Sequence, residues 1–154
     1  HDIATVTPCR VGLVPHERLR KVQQERPNLA RMLWFSTLLD AAMHREWIFR
    51  LGRLNAMGRV AHFLAEVEFR LSLVGQSDGR EFRLPLLQAD LAEACGMTPV
   101  HLNRVMRRLR DAGLVTLREG AAIVHDRAEL WRLAEFDPRY LFADNTSYDQ
   151  PTAA

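Results

Sequence analysis

Lysine is almost missing from this chain. Lys21 is the only one in 154 residues, so nearly all of the 21 basic residues are arginines, and 19 acidic residues leave a formal charge of +2. That balance excludes a uniformly basic binder, so any attraction to a polyanion must come from local clustering. Cysteine is scarce too. Cys9 and Cys95 show no metal-ligand spacing, which speaks against a zinc module and predicts two reduced thiols, with Cys95 buried. No apolar run reaches the length of a membrane-spanning helix and no signal peptide is visible, so no membrane partner and a cytoplasmic location are expected. His16-Glu17, His44 with Glu46, and His125-Asp126 are scattered, and no two histidines stand four apart around a glutamate, so neither an enzyme nor a metal site is expected. What is present is 47% apolar residues, enough for a packed core.

The basicity is concentrated in residues 98–118, which hold five arginines against one acid, Asp111. That cluster lies within residues 86–118 (LLQADLAEACGMTPVHLNRVMRRLRDAGLVTLR), which read as a helix-turn-helix. The first helix starts at Gln88 and turns Leu91 and Ala94 inward, and Ala92 is small enough to let a second helix approach. Gly96 supplies the turn. Thr98 caps the second helix and Pro99 takes its first position, where a missing N–H costs nothing. Leu102, Val105, Met106 and Leu109 then form one narrow apolar face. Val100, Asn103, Arg104, Arg107 and Asp111 form the opposite one, flanked by Arg108 and Arg110, a basic surface suited to phosphate. An ordinary helical hairpin with solvated arginines is the plainer alternative; the coincidence of small residue, glycine, cap and apolar spacing favours DNA. After Gly113, short apolar runs at 114–117 and 121–124 flank Arg118, Glu119 and Gly120, the pattern of a β-hairpin wing with Arg118 as a phosphate contact.

Elsewhere the chain reads as mainly α with small β elements. Its opening, HDIATVTPCRVGLVPHERL, alternates apolar and polar residues like the last strands of a β-structure that begins upstream, and Ile3, Val6, Val11, Leu13 and Val14 need partner strands. A short N-terminal arm is the other reading. A short helix is expected at 17–24, and Pro27 opens a long one running toward Leu54. Two seams on it keep coiled-coil spacing: Ala30, Trp34, Thr37, Ala41, His44, Ile48 and Leu51, and Met32, Phe35, Leu39, Ala42, Glu46 and Phe49. One is expected to meet the same helix of a second copy, the other the upstream β-structure. Asn55 caps a helix with Val60, Phe63, Leu64, Val67 and Leu71 at core spacing; 82–84 is a short strand; Asp126 with Glu129 starts a last helix bearing Leu130, Trp131 and Leu133. Residues after Phe142 are polar and expected to be loose.

Residues 55–64 (NAMGRVAHFL), 88–104 (QADLAEACGMTPVHLNR) and 113–126 resemble the Crp/Fnr family of bacterial transcription regulators. The resemblance implies a truncated effector-sensing, cyclic-nucleotide-binding-like β-roll at 1–16, a short helix and long dimerisation helix at 17–54, a winged helix-turn-helix at 55–142 and a flexible tail at 143–154. It also implies a homodimer on a palindromic site with half-site centres about one helical turn apart. Arg104 falls on the family's base-reading arginine and suits a guanine edge. Val100 and Asn103 fall on the other reading positions with Pro99 beside them, Gln88 and Thr98 on phosphate contacts, and Arg107 and Arg108 add to the phosphate set. Known members carry glutamate at Val100, and Thr or Ser at Leu87, so a different half-site and a lost hydroxyl cap are expected. His44 and Arg45 stand where cyclic-AMP-responsive members have a Thr-Ser pair, which argues against that nucleotide site. No cofactor is evident in the chain. Any effector, a cyclic nucleotide or another small molecule, would bind upstream. Double-stranded DNA, a second copy and RNA polymerase are the partners the resemblance allows; a dimeric interaction module or effector-sensing fragment without DNA binding is the alternative.

Overall fold

The computed structural model describes residues 5–143 and is mainly helical, with one small sheet. Helix α1 (His16–Glu25) runs through Arg26 into α2 (Pro27–Arg53), which opens on its proline. Asn55 starts α3 (Ala56–Ser72): its Oδ1 accepts from the Met57 and Gly58 amides at 3.0 Å each, satisfying two N–H groups that have no partner inside the helix. Strand β1 (Glu81–Arg83) precedes the helix pair α4 (Gln88–Ala94) and α5 (Pro99–Asp111), then β2 (Val115–Arg118), β3 (Ala121–Val124), α6 (Arg127–Leu133) and a closing 3-10 turn (Pro138–Leu141). The antiparallel sheet has the order β1-β3-β2, with Phe82 and Leu117 both registered against Ala122 from either side.

The core sits where α3, α4, α5, α6 and the sheet converge. Val60, Ala61 and Leu64 of α3, Leu91 and Ala92 of α4, Leu102, Val105 and Leu109 of α5, Val115 and Leu130 all belong to one buried cluster. Burying a leucine or valine contributes roughly 1.5–3 kcal/mol. The expected apolar face of α5 is therefore the one buried. Ala94, expected to point inward, is only half-buried, while its neighbour Ala92 is fully enclosed.

The structure corrects two expectations. Residues 5–15 form no strand: Val6, Val11, Leu13 and Val14 are exposed, and none of them pairs with the three-stranded sheet. Ile3 and the tail from 144 on lie outside the described residues. The middle of the second seam of α2 packs not on upstream β-structure but on α3 and the closing 3-10 turn, while Met32 and Phe49 stay exposed. Ala42 is buried, Leu39 and Met43 lean on the core, and Phe35 meets Phe142 edge-on at 6.0 Å. A helix 27 residues long with two apolar seams needs two covers, and the chain's own C-terminal turn provides one.

Candidate nucleic-acid interface

The turn between α4 and α5 shapes the interface. Gly96 has φ +63°, the conformation that calls for glycine, and a Cβ there would also sit tightly, 3.2 Å from Leu51 Cδ2 of α2. Thr98 Oγ1 accepts from the His101 amide at 3.3 Å, and Pro99 occupies the first helical position. That cap uses the hydroxyl only as an acceptor, which leaves its proton to donate outward. Before α4, Leu87 has no hydroxyl and is 72% exposed; Asp90 closes the start of that helix instead, its Oδ2 accepting from the Leu87 amide at 3.2 Å. At the other end of α5 the Leu114 amide donates to Leu109 O at 2.9 Å, which stops the helix and turns the chain into β2.

With Leu102, Val105 and Leu109 buried, helical periodicity sends Val100, Asn103, Arg104, Arg107 and Asp111 to the outside, and all five are exposed. Among the described residues, the guanidinium groups of Arg104, Arg107 and Arg108 make no hydrogen bond or ion pair. Between α5 and the wing lies a cleft of about 400 Å³ lined by Gln88, Asn103, Arg107, Arg110 and Thr116. The structure thus brings together Gln88, Asn103 and Arg107 of the expected contact set. It adds Arg110 and Thr116, which were not assigned as contacts, and leaves Thr98, Pro99, Val100, Arg104, Arg108 and Arg118 outside the cleft lining. The signal for Arg110 was its spacing, three residues after Arg107 and seven after Asn103.

The wing is β2 and β3 joined by Glu119 and Gly120, both at positive φ (52° and 76°), the geometry of a two-residue type I′ turn. Arg118 projects at its tip with its Nε 3.3 Å from Glu119 Oε1. Arg110 Nε lies 3.7 Å from Asp111 Oδ1. Both pairs are mostly exposed, so their partners compete weakly with an incoming phosphate.

Beneath the interface, charged groups buried in α3 tie the domain together. Glu66 accepts from Trp47 Nε1 of α2 at 2.9 Å and from the Tyr140 hydroxyl of the closing turn at 2.7 Å. Burial and that carboxylate push the Tyr140 hydroxyl far above its ordinary range, so it stays a donor. His62 Nδ1 donates to Ala134 O at 3.0 Å, and burial holds its imidazole below the ordinary 6.5. Glu68 accepts from Arg127 Nε of α6 at 3.0 Å and from the Ser77 hydroxyl at 3.1 Å. Cys95 is fully buried beside Arg50 and Arg59, with its thiol pushed up to about 11, chiefly by burial, and Cys9 is exposed; both are free thiols.

No helix among the described residues is long and apolar enough to cross a membrane, and among them no three His, Cys, Asp or Glu side chains form a group able to hold a metal. His16, His44 and His125 lie on α1, on α2 and just after β3.

Residues 58–133 match the family model of the Crp-like helix-turn-helix domain. The transcriptional activator protein FnrL of Cereibacter sphaeroides is 31% identical over 137 residues, covering 84% of this chain and 54% of its own length. The chain belongs to the Crp/Fnr family. A second Crp/Fnr relative, the nitrogen fixation regulation protein FixK of Bradyrhizobium diazoefficiens, is 30% identical over 133 residues, 86% of this chain and 54% of its own length. Among solved Crp/Fnr structures, FixK2 from Bradyrhizobium japonicum superposes with a TM-score of 0.68 at 26% identity, covering 78% of this chain and 59% of that one. The chain spans about half the length of the curated relatives it matches.

Proposed function

We propose that this Crp/Fnr-family chain is a sequence-specific DNA-binding transcription regulator that reads a palindromic site as a homodimer. The outward face of α5 carries this reading: Arg104, Arg107 and Arg108 are exposed and unpaired, Arg110 is held only by an exposed contact to Asp111, and the apolar side of the helix is locked in the core. Arg104 reads a guanine edge through two parallel hydrogen bonds, Asn103 an adenine and Val100 a thymine methyl, with Pro99 packed alongside. Gln88, Thr98, Arg107, Arg108 and Arg118 take phosphates, and Arg110 joins them from the cleft.

The homodimer rests on the first seam of α2. Trp34 and Ile48 are 68% and 72% exposed, and Thr37, His44 and Leu51 are exposed between half-buried Ala30 and Ala41. So wide an apolar stripe along one helix suits a second copy of itself. Work in the cytoplasm and contact with RNA polymerase follow from the same reading.

Selection of random duplexes with the purified chain, then titration of the winner and a scrambled duplex at two salt concentrations, tests the proposal. A palindrome bound by a dimer, with affinity falling as salt rises, is the expected result. Equal binding of winner and scrambled duplex would reject it.

A further inference from the structure

Arg50, one turn before the end of α2, is a charged side chain with no water around it: it is 0% exposed. No carboxylate forms an ion pair with it among the described residues. Its Nη2 donates to Ala94 O at 3.2 Å, while its Nε and Nη1 have no hydrogen-bond partner. Its guanidinium carbon lies 4.9 Å from the centre of the Trp47 ring and 5.8 Å from that of Phe63. A buried, incompletely paired cation is poor stabilising material; apolar residues of similar volume often serve a fold as well or better. Its place in the fold supplies another use.

Ala94 is the last residue of α4, and its carbonyl belongs to the final turn, where no intrahelical donor is left. The bond from Arg50 therefore joins the end of α2 directly to the first helix of the helix-turn-helix. One residue on, Leu51 closes against Gly96 in the turn between α4 and α5. The guanidinium lies 4.9 and 5.8 Å from two ring centres and has one directed donor, so its bond to Ala94 O constrains direction as well as distance. Rotation of the helix-turn-helix about the end of α2 would break that bond and leave a buried cation with no hydrogen bond at all.

We propose that Arg50 is a positioning residue that locks the helix-turn-helix at one angle to α2 and so sets the half-site spacing that a dimer accepts. The inference rests on the dimeric DNA-binding reading. Arg50 touches no DNA in it.

The test uses the full chain and a set of palindromes built from one half-site, with the centre-to-centre distance changed in steps of one base pair. The parent is expected to prefer one spacing. Arg50→Met keeps the volume and removes the donor; its preference for the best spacing over its neighbours is expected to fall about tenfold, the worth of one charge-assisted hydrogen bond. Affinity for an isolated half-site should stay unchanged. Arg50→Lys, which keeps a cationic donor toward Ala94, should stay within about threefold of the parent. If Arg50→Met does not fold, Arg50→Gln, whose shorter arm falls short of the carbonyl, carries the same expectation. Unchanged spacing preference in these neutral variants, or an equal loss at every spacing and at the half-site, would overturn the proposal. A parent that binds no duplex would overturn the functional reading itself, a result separable from the other two.

Discussion

Arg104 and Arg107 lie three residues apart on one face of α5, yet the proposed roles predict different behaviour in solution. Arg104→Ala is expected to cost about 1–3 kcal/mol on the preferred site and to relax selectivity at one base position. Arg107→Ala should weaken all duplexes evenly and reduce the slope of log K against log salt by about one. Titration of matched and single-base-changed duplexes at several salt concentrations checks both, and identical behaviour of the two variants would remove the assignment. Glu119 is the counter-case. It holds φ 52° at the wing tip, a conformation unfavourable for a residue with a side chain, and places a carboxylate beside Arg118. Glu119→Asn keeps the turn geometry with a residue that tolerates it, so a gain on the order of 0.5–1 kcal/mol in stability is expected, together with tighter binding of any duplex. Urea unfolding and a scrambled-duplex titration measure the two effects.

At the scale of elements, what was legible in the sequence was what depends on near neighbours. Thr98, Pro99 and the Leu102, Val105, Leu109 spacing place α5 correctly because cap, first turn and buried face are set within a dozen residues. The wing was legible for the same reason, its two-residue turn lying between apolar runs. The cover of α2 was not. Its second seam meets a turn whose Tyr140 bonds Glu66 from 74 residues away, and no periodicity reveals that pairing. Arg50 was equally invisible, since an arginine near a helix end reads as solvated until its neighbours are known. The cleft followed the same division: helical spacing puts Asn103 and Arg107 on one face, whereas the inclusion of Arg110 and Thr116 depends on where the wing folds back. The first seam of α2 gives a prediction at this scale. Ile48→Glu puts a charge into the proposed helix pair and is expected to convert the dimer to a monomer, with palindrome affinity falling to that of a half-site. Sedimentation and half-site titration read both, and a dimer that persists would place the association elsewhere.

For the molecule as a whole, the buried His62 of α3 is expected to make stability depend on pH. Burial lowers the His62 value below 6.5, with Arg50 adding to the effect and Glu66 opposing it. The unfolded chain binds a proton near 6.5 that the folded chain takes up only at lower pH, so stability rises with pH across that interval. This contribution is complete above about pH 6.5 and is lost as the solution is acidified toward the folded value. The urea midpoint is therefore expected to fall between pH 7.5 and pH 5.5, and His62→Gln, which retains a donor for Ala134, should flatten that fall. An unchanged slope in the variant would assign the pH dependence to other groups.

The seam on α2 also gives the molecule its own optical signal. The three tryptophans are Trp34, 68% exposed on that seam, and the half-buried Trp47 and Trp131 in the body of the domain. If a second copy covers the seam as proposed, the indole expected to change surroundings is Trp34. Its emission should shift to shorter wavelength as protein concentration rises, so assembly can be followed without label or DNA, and Trp34→Phe should abolish the shift.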